Sequence, residues 1–233
     1  MDRLDKTIAA SGLYTRRDAK ILLKERRVRV NGTLVTDADY KVDRESDEIA
    51  IDDAPLPLFR TAVIMMNKPS GYVTSTADPV SPTVMALLPE EYKRLELYPV
   101  GRLDKDTEGL LLFTNDGDLA HKLISPKHEV EKEYIALTSL PIDEDDILAF
   151  HRGITLKDGT KCKSAKLQAL DGAMCSVTLK EGKYHQVRRM LASRGKPVIY
   201  LKRIREGSVM LGTLESAEVR ELDGKEIASL LES

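Results

Sequence analysis

Two apolar runs, residues 95–100 and 109–114, read as strands, and the chain must close a short polar loop between them. That loop is Gly101-Arg102-Leu103-Asp104-Lys105-Asp106-Thr107-Glu108. Asn115-Asp116-Gly117 ends the second run with residues that tolerate left-handed backbone. Nowhere else is polar chemistry held so tightly between strand-like pieces, and a loop carried by rigid strands is a common seat for catalytic groups. It holds one guanidinium, Arg102, and three carboxylates, Asp104, Asp106 and Glu108. On spacing alone any of the three is a candidate catalyst. They alternate along the chain and need not share a face, so the spacing specifies no metal site.

The chain has 233 residues, 42% of them hydrophobic and 32% charged, enough apolar material for a packed core in one large domain or two smaller ones. No apolar run approaches the roughly 20 residues of a membrane span. The first residues lack the apolar stretch of a secretory signal. The only cysteines, Cys162 and Cys175, are too few for a disulfide framework and fit a cytoplasmic protein with reduced thiols. The net charge of −2 hides strong local imbalance. Residues 1–30 carry nine Lys and Arg against four acids, residues 37–53 carry eight acids against two bases, and residues 183–205 carry eight bases and no acid. Local charge, not the total, decides where a phosphate backbone is held.

Along the N-terminal part, Ile8 and Leu13, then Ala19, Leu22 and Leu23, mark two short helices broken at Ser11-Gly12. Thr15 and Asp18 have capping-box spacing at the start of the second. Residues 28–35 read as a hairpin on an Asn31-Gly32 turn, residues 36–53 as acidic and irregular, and 48–51 as one more strand. Pro55 and Pro57 mark a boundary, giving domains at 1–56 and 61–233. Beyond it, 61–75 reads as strand–turn–strand, and Lys68 as a phosphate contact or a plain strand-end lysine. A short helix near 83–88 follows, and then another over 117–124 with Leu119, Leu123 and Ile124 inward and His121 on its surface. A strand carries Tyr134, and a helix over 143–152 turns in Ile147, Leu148 and Phe150. Next come a hairpin on Asp158-Gly159, strands at 166–170 and 174–179, a helix entered through Lys183 and Tyr184, and a strand at 198–205. Strand-rich halves with few helices make an α+β fold: a small N-terminal α/β module, whose basic helix before a V-x-V-N-G hairpin has the outline of an RNA-binding module, and a larger domain on a mixed, mostly antiparallel sheet with flanking helices. No P-loop and no dinucleotide fingerprint occurs, so no cofactor is suggested.

Two stretches carry resemblances. R-L-D-K-x-I-A-x-S-G-L-x-T-R-R-D-A-K-x-L-L-K-x-x-R-V-R-V-N-G, residues 3–32, resembles the αL RNA-binding module first known from a small-subunit ribosomal protein. G-R-L-D-x-x-T-x-G-L-L-L-x-T-N-D-G, K-x-Y and E-G-K-Y-H-Q-V-R-R-M, at 101–117, 132–134 and 181–190, are similar in order and spacing to the motifs of RsuA-type pseudouridine synthases. The resemblance implies isomerisation of a uridine in ribosomal RNA on a flipped-out nucleotide, without metal or cofactor. It implies Asp104 as the catalytic carboxylate, acting as nucleophile or as base. Lys183 would be its basic partner, where many relatives carry arginine. Tyr134 would stack on the extruded base, and Arg102 would brace the gap that base leaves. The RNA-binding set so implied is Arg3, Arg16, Arg17, Lys20, Arg27, Asn31, His185, Gln186, Arg188 and Arg189, with segment 183–205 as a source of phosphate contacts. The wording K-Y-H-Q-V-R-R-M stands closer to enzymes of the small subunit, which favours 16S rRNA or a pre-ribosomal particle as partner of a monomer. Three rival readings stay open: the same chemistry on 23S rRNA, a non-catalytic ribosome-assembly factor, and a metal-dependent nuclease built on the three loop acids.

Overall fold

The computed structural model describes residues 1–11, 13–44, 46–56, 61–93 and 95–232. It divides into two compact units, Met1–Thr61 with Glu90–Leu97, and Ala62–Pro89 with Tyr98–Ser233.

The first unit contains β1 (Asp2–Arg3), α1 (Leu4–Ala10), α2 (Arg16–Lys24), β2 (Val28–Val30), β3 (Thr33–Leu34), β4 (Lys41–Val42), β5 (Ile49–Ile51), β6 (Ala54–Pro55) and α3 (Glu90–Lys93). The capping box forms as spaced: Thr15 Oγ1 accepts from the Asp18 N–H at 3.2 Å, and the Asp18 carboxylate accepts from the Thr15 N–H at 2.9 Å. Ala19, Leu22 and Leu23 then face the core with Leu4, Ile8, Val28, Val30, Ile49 and Ile51. Arg16, Arg17, Lys20 and Lys24 are left on the exposed face of α2. β2 and β3 pair as a hairpin through Asn31 and Gly32, both with positive φ, the backbone that this turn demands. Leu13 does not extend the stripe of α1; it lies beyond the end of the helix and is exposed. Gly12, Pro57 and Leu58 lie outside the described residues.

The second unit contains β7 (Val63–Lys68), a 3₁₀ turn (Val84–Leu87), β8 (Tyr98–Val100), β9 (Glu108–Thr114), α4 (Gly117–Ile124), β10 (Lys132–Thr138), α5 (Glu144–Arg152), β11 (Ile154–Thr155), β12 (Lys161–Cys162), β13 (Lys166–Ala169), β14 (Met174–Leu179), α6 (Gln186–Ser193), β15 (Val198–Glu206), β16 (Val209–Met210), β17 (Val219–Glu221) and α7 (Gly224–Glu232). Its main sheet runs β13-β14-β10-β15-β9-β7-β17, with β8 on β9 and β16 on β15. Every pairing is antiparallel except β9 with β15. That parallel ladder is short, Lys202 beside Glu108 and Arg203 beside Gly109, and it joins two halves with separate cores. In one, α5 and α6 bury Phe150, Val187, Met190 and Leu191 on Ala136, Leu167, Val177 and Leu201. In the other, α4 and α7 bury Leu119, Leu123 and Leu230 on Val63, Met65, Leu110 and Leu112.

Gly109 is required at the seam. Its φ is +102°, and a Cβ there would stand 2.1 Å from the Arg203 carbonyl oxygen, so a side chain would force the two strands apart.

Several expectations are corrected. The strand expected at 72–75 shrinks to one bridge between Val73 and Thr83, because the chain turns away to meet the loop after β8. The first loop-flanking strand begins at Tyr98, and residues 95–97 belong to the other unit. Ile124 and Leu148 are half-exposed. At about 100° per residue, Ile124 falls off the stripe of Leu119 and Leu123, and Leu148 lies almost opposite Phe150.

Candidate active site

The loop between β8 and β9 enters the sheet at the seam, and neighbours fix it from several sides. Thr74 Oγ1 donates to the Leu103 carbonyl at 2.8 Å and accepts from the Leu103 N–H at 3.2 Å. The Gly71 N–H donates to the Lys105 carbonyl at 2.8 Å, and the Thr107 N–H to the Asp104 carbonyl at 3.1 Å. Lys68 lies fully buried beneath the loop, and its ammonium donates to the carbonyls of Thr107, Pro69 and Lys105 at 2.8, 3.0 and 3.2 Å. Lys68 is therefore neither a phosphate contact nor a plain strand-end lysine. Burial pushes its pKa down to about 8, against the pull of Asp106, Glu108 and Asp104.

This scaffold separates the three acids. Asp106 is exposed and pairs with Arg188 at 2.9 Å. Glu108 accepts from the Tyr200 hydroxyl at 2.8 Å, and burial together with that bond pushes the phenol up to about 12. Asp104 is partly buried, 30% exposed, with His185 Nε2 at 3.4 Å from its Oδ1. Three acids with three different partners do not converge as one set of ligands. Arg102 is exposed at the start of the loop.

Tyr134 stands on β10 between Val177 of β14 and Arg203 of β15. Burial raises its phenol pKa, Arg203 opposes this, and Asp104 lies close enough to contribute. The phenol is thus a neutral, anchored ring near the carboxylate. Beneath it, Arg203 and Glu206 are both buried and 3.1 Å apart, with Lys132 3.6 Å from Glu206 and Arg203 Nε donating to the Leu110 carbonyl at 2.7 Å. Burial works against the Arg203 charge, but Glu206 and Tyr134 outweigh it and hold the guanidinium protonated.

Lys183 is not placed on Asp104. Its ammonium donates to the Glu181 carboxylate at 2.7 Å and to the Lys161 carbonyl at 2.5 Å. Glu181 is nearly buried and accepts also from Gln186 at 2.7 Å, so lysine, glutamate and glutamine knit the entrance of α6. Gln186 is buried, and its amide oxygen accepts from the Lys183 N–H at 2.9 Å, which leaves it inside the fold and not on an RNA-facing surface. The base that reaches the loop is Arg188, whose Nε is buried with no hydrogen-bond partner among the described residues.

The basic segment 183–205 is likewise largely neutralised. Arg189 pairs with Asp158, Arg194 and Lys196 with Asp146, Arg203 with Glu206, and Arg205 with Glu131 and Glu133. Acids distant in sequence fold onto it, which a count along the segment does not reveal. Of the N-terminal candidates, Arg3 pairs with Asp5 and Asp39, and Arg27 with Glu25 and Asp52. Asn31 bonds to Asp47 and to the Glu48 N–H. The α2 face stays exposed: Arg16, which reaches Asp5 at 4.0 Å, lines with Arg17, Lys20, Ile21 and Lys24 a concavity of about 470 Å³. If phosphates sit there, changing Arg17 and Lys20 together to Ala is expected to weaken RNA binding and to flatten the slope of log affinity on log salt by about one to two, measured by filter binding across a salt series.

Thr74 and Arg203 were missed as site residues by reading the sequence, and Lys68 was noticed but given the wrong part. For Arg203 a signal was present: it stands two residues from Leu201 and so shares that residue's buried face.

A carboxylate loop at the seam of a two-core sheet, a half-buried tyrosine beside it and a separate basic-helix unit define an RNA-modifying enzyme. The chain matches the RNA pseudouridylate synthase family over residues 62–193 and the S4 domain over residues 2–49, and it belongs to the pseudouridine synthases, which are isomerases. It is 40% identical to the uncharacterized RNA pseudouridine synthase YtzG of Bacillus subtilis, over 99% of this chain and 98% of that one. It is also 40% identical to ribosomal small subunit pseudouridine synthase A of Escherichia coli, over 98% of this chain and 100% of that one. A crystal structure of a pseudouridylate synthase superposes with a TM-score of 0.71 at 37% identity, covering 99% of this chain and 100% of that one.

Proposed function

We propose that this enzyme converts a specific uridine of 16S rRNA to pseudouridine, with Asp104 as its reacting carboxylate. The observation that carries the assignment is the partition of the loop acids. Asp106 and Glu108 are engaged by Arg188 and Tyr200, while Asp104 is held half-open beside Tyr134. Asp104 attacks the sugar or removes its 2′ proton. The bond from the sugar to the ring nitrogen breaks, uracil turns, and carbon 5 joins the same sugar carbon as Asp104 leaves it or returns the 2′ proton; carbon 5 then loses its own proton to solvent and the freed ring nitrogen takes one up. Atoms balance without a co-reactant. Tyr134 stacks on the extruded base, and Arg102 braces the place it left; extrusion costs a few kcal/mol, least at an unpaired base. Lys183 was expected as the basic partner of Asp104; the guanidinium that touches the loop is Arg188, which holds Asp106 and Thr107 and so braces the loop without pairing with Asp104. The α2 face supplies phosphate contacts that position the RNA. The small-subunit substrate is supported by end-to-end similarity to the Escherichia coli enzyme. We take the modules as 1–56 and 61–233 and the working form as a cytoplasmic monomer.

Mapping pseudouridine in both rRNAs of a strain lacking the gene tests this. Loss of one site from 16S rRNA is expected. Loss from 23S rRNA alone moves the enzyme to the large subunit, and no loss from either favours a non-catalytic assembly role.

A further inference from the structure

Once Asp104 is taken as the reacting carboxylate, on which this inference rests, something must aim it. Lys183 is engaged by Glu181 and the Lys161 carbonyl, and Arg188 by Asp106. We propose that His185 is the positioning residue for Asp104, with Tyr184 as the backing that fixes the imidazole.

Three observations converge on it. His185 Nε2 lies 3.4 Å from Asp104 Oδ1, a distance that closes readily to a hydrogen bond in a substrate complex. His185 has left-handed backbone, φ 47° and ψ 35°, at the N-cap of α6, and its side chain makes no capping bond. A non-glycine residue keeps that conformation only where its surroundings impose it. Those surroundings are present: Gln186 holds the Lys183 N–H, the Arg189 N–H holds the His185 carbonyl, and Arg189 Nη1 reaches the Tyr184 carbonyl. The imidazole then stacks on the Tyr184 ring with centroids 3.9 Å apart and planes 17° apart, although Tyr184 is otherwise exposed. The strained backbone turns the ring back toward the loop, the stack limits its rotation, and Nε2–H donates to one carboxylate oxygen. The other oxygen is left to react with the sugar. Proximity of this kind is lost steeply, about 100-fold for a misplacement of 1 Å.

The test uses the full-length enzyme and rRNA from the strain lacking the gene, carrying tritium at carbon 5 of uridine. His185→Asn tolerates left-handed backbone, so α6 keeps its start, but its amide reaches only the Nδ1 position. His185→Gln carries an amide N–H to the Nε2 position. The expected result is a fall in kcat of roughly 10- to 100-fold for His185→Asn with KM within about twofold of the parent, and recovery of most of that loss in His185→Gln. Equal kcat in the two variants, or a change confined to KM, overturns the proposal and leaves His185 as an RNA contact. Asp104→Asn in the same assay separates the two readings. If it is inactive while His185→Asn is at parental rate, only the His185 assignment falls. If it retains turnover, the Asp104 assignment falls as well.

Discussion

Asp104→Asn is expected to reduce turnover on the order of 10⁴-fold or more while leaving RNA affinity within about twofold. The amide matches the carboxylate in size, so the loop keeps its Thr74, Lys68 and Arg188 contacts. Its backbone carbonyl still accepts from the Thr107 N–H. What disappears is the negative charge and the lone pair proposed to act on the sugar. RNA binding is proposed for the exposed cations of α2, which the substitution does not touch. Tritium release from carbon-5-labelled uridine measures the first quantity and filter retention the second. Turnover near that of the parent would refute the assignment. Asp106→Asn, by contrast, removes an exposed ion pair and should cost far less.

Lys68→Met is expected to be the most damaging substitution for the fold around the site. The thioether chain fills the volume of the lysine stem, but the Thr107 and Pro69 carbonyls lose their donor, while the Lys105 carbonyl keeps the Gly71 N–H. At about 1–3 kcal/mol for each unsatisfied group, the loss is roughly 2–6 kcal/mol, against a usual total of about 5–15. Thermal unfolding should fall sharply. Activity should be lost even at temperatures where the chain stays folded, because Lys68 ties down the loop that carries Asp104 through the Lys105 and Thr107 carbonyls.

A pH series adds a signed test of the same residue. Burial holds the folded-state pKa at about 8, below the ordinary 10.5. Below pH 8 the lysine is charged in both folded and unfolded chains, so it adds no slope. Between about 8 and 10.5 the unfolded chain binds a proton that the folded chain does not, and the contribution of Lys68 to stability rises with pH. The parent-minus-variant difference in unfolding free energy should therefore grow by about 3 kcal/mol across that window. A difference that shrinks with pH would mean that burial does not dominate at Lys68.

Much of the local structure was legible because it depends on near neighbours. The Thr15–Asp18 capping box, the Asn31-Gly32 hairpin and the helix over Gln186–Ser193 each rest on residues within a turn of one another. So does the division of the α2 faces. Reading failed where the partner lies far along the chain. Lys183 was matched to Asp104 by motif, yet it lies on Glu181. Residues 183–205 read as a bare basic patch, yet Asp143, Asp146, Asp158, Glu131 and Glu133 arrive from other elements to pair with it. Charge counted along a segment ignores whatever the fold lays beside it.

The loop that follows β8 shows the same division. Sequence by itself determined that a polar turn with one guanidinium and three carboxylates would sit between strands, and its motifs specified the family. Those are properties of adjacent residues and of their order. Only the tertiary structure decided that the three acids are unequal. Arg188 arrives from α6, Tyr200 from β15 and His185 from the start of α6, each some 80 or more residues away in the chain, and each takes a different carboxylate. Lys68, nearly 40 residues before the loop, fixes the backbone under them. A carboxylate acquires its role from what surrounds it, and those surroundings exist only after the two halves of the sheet have met at β9 and β15.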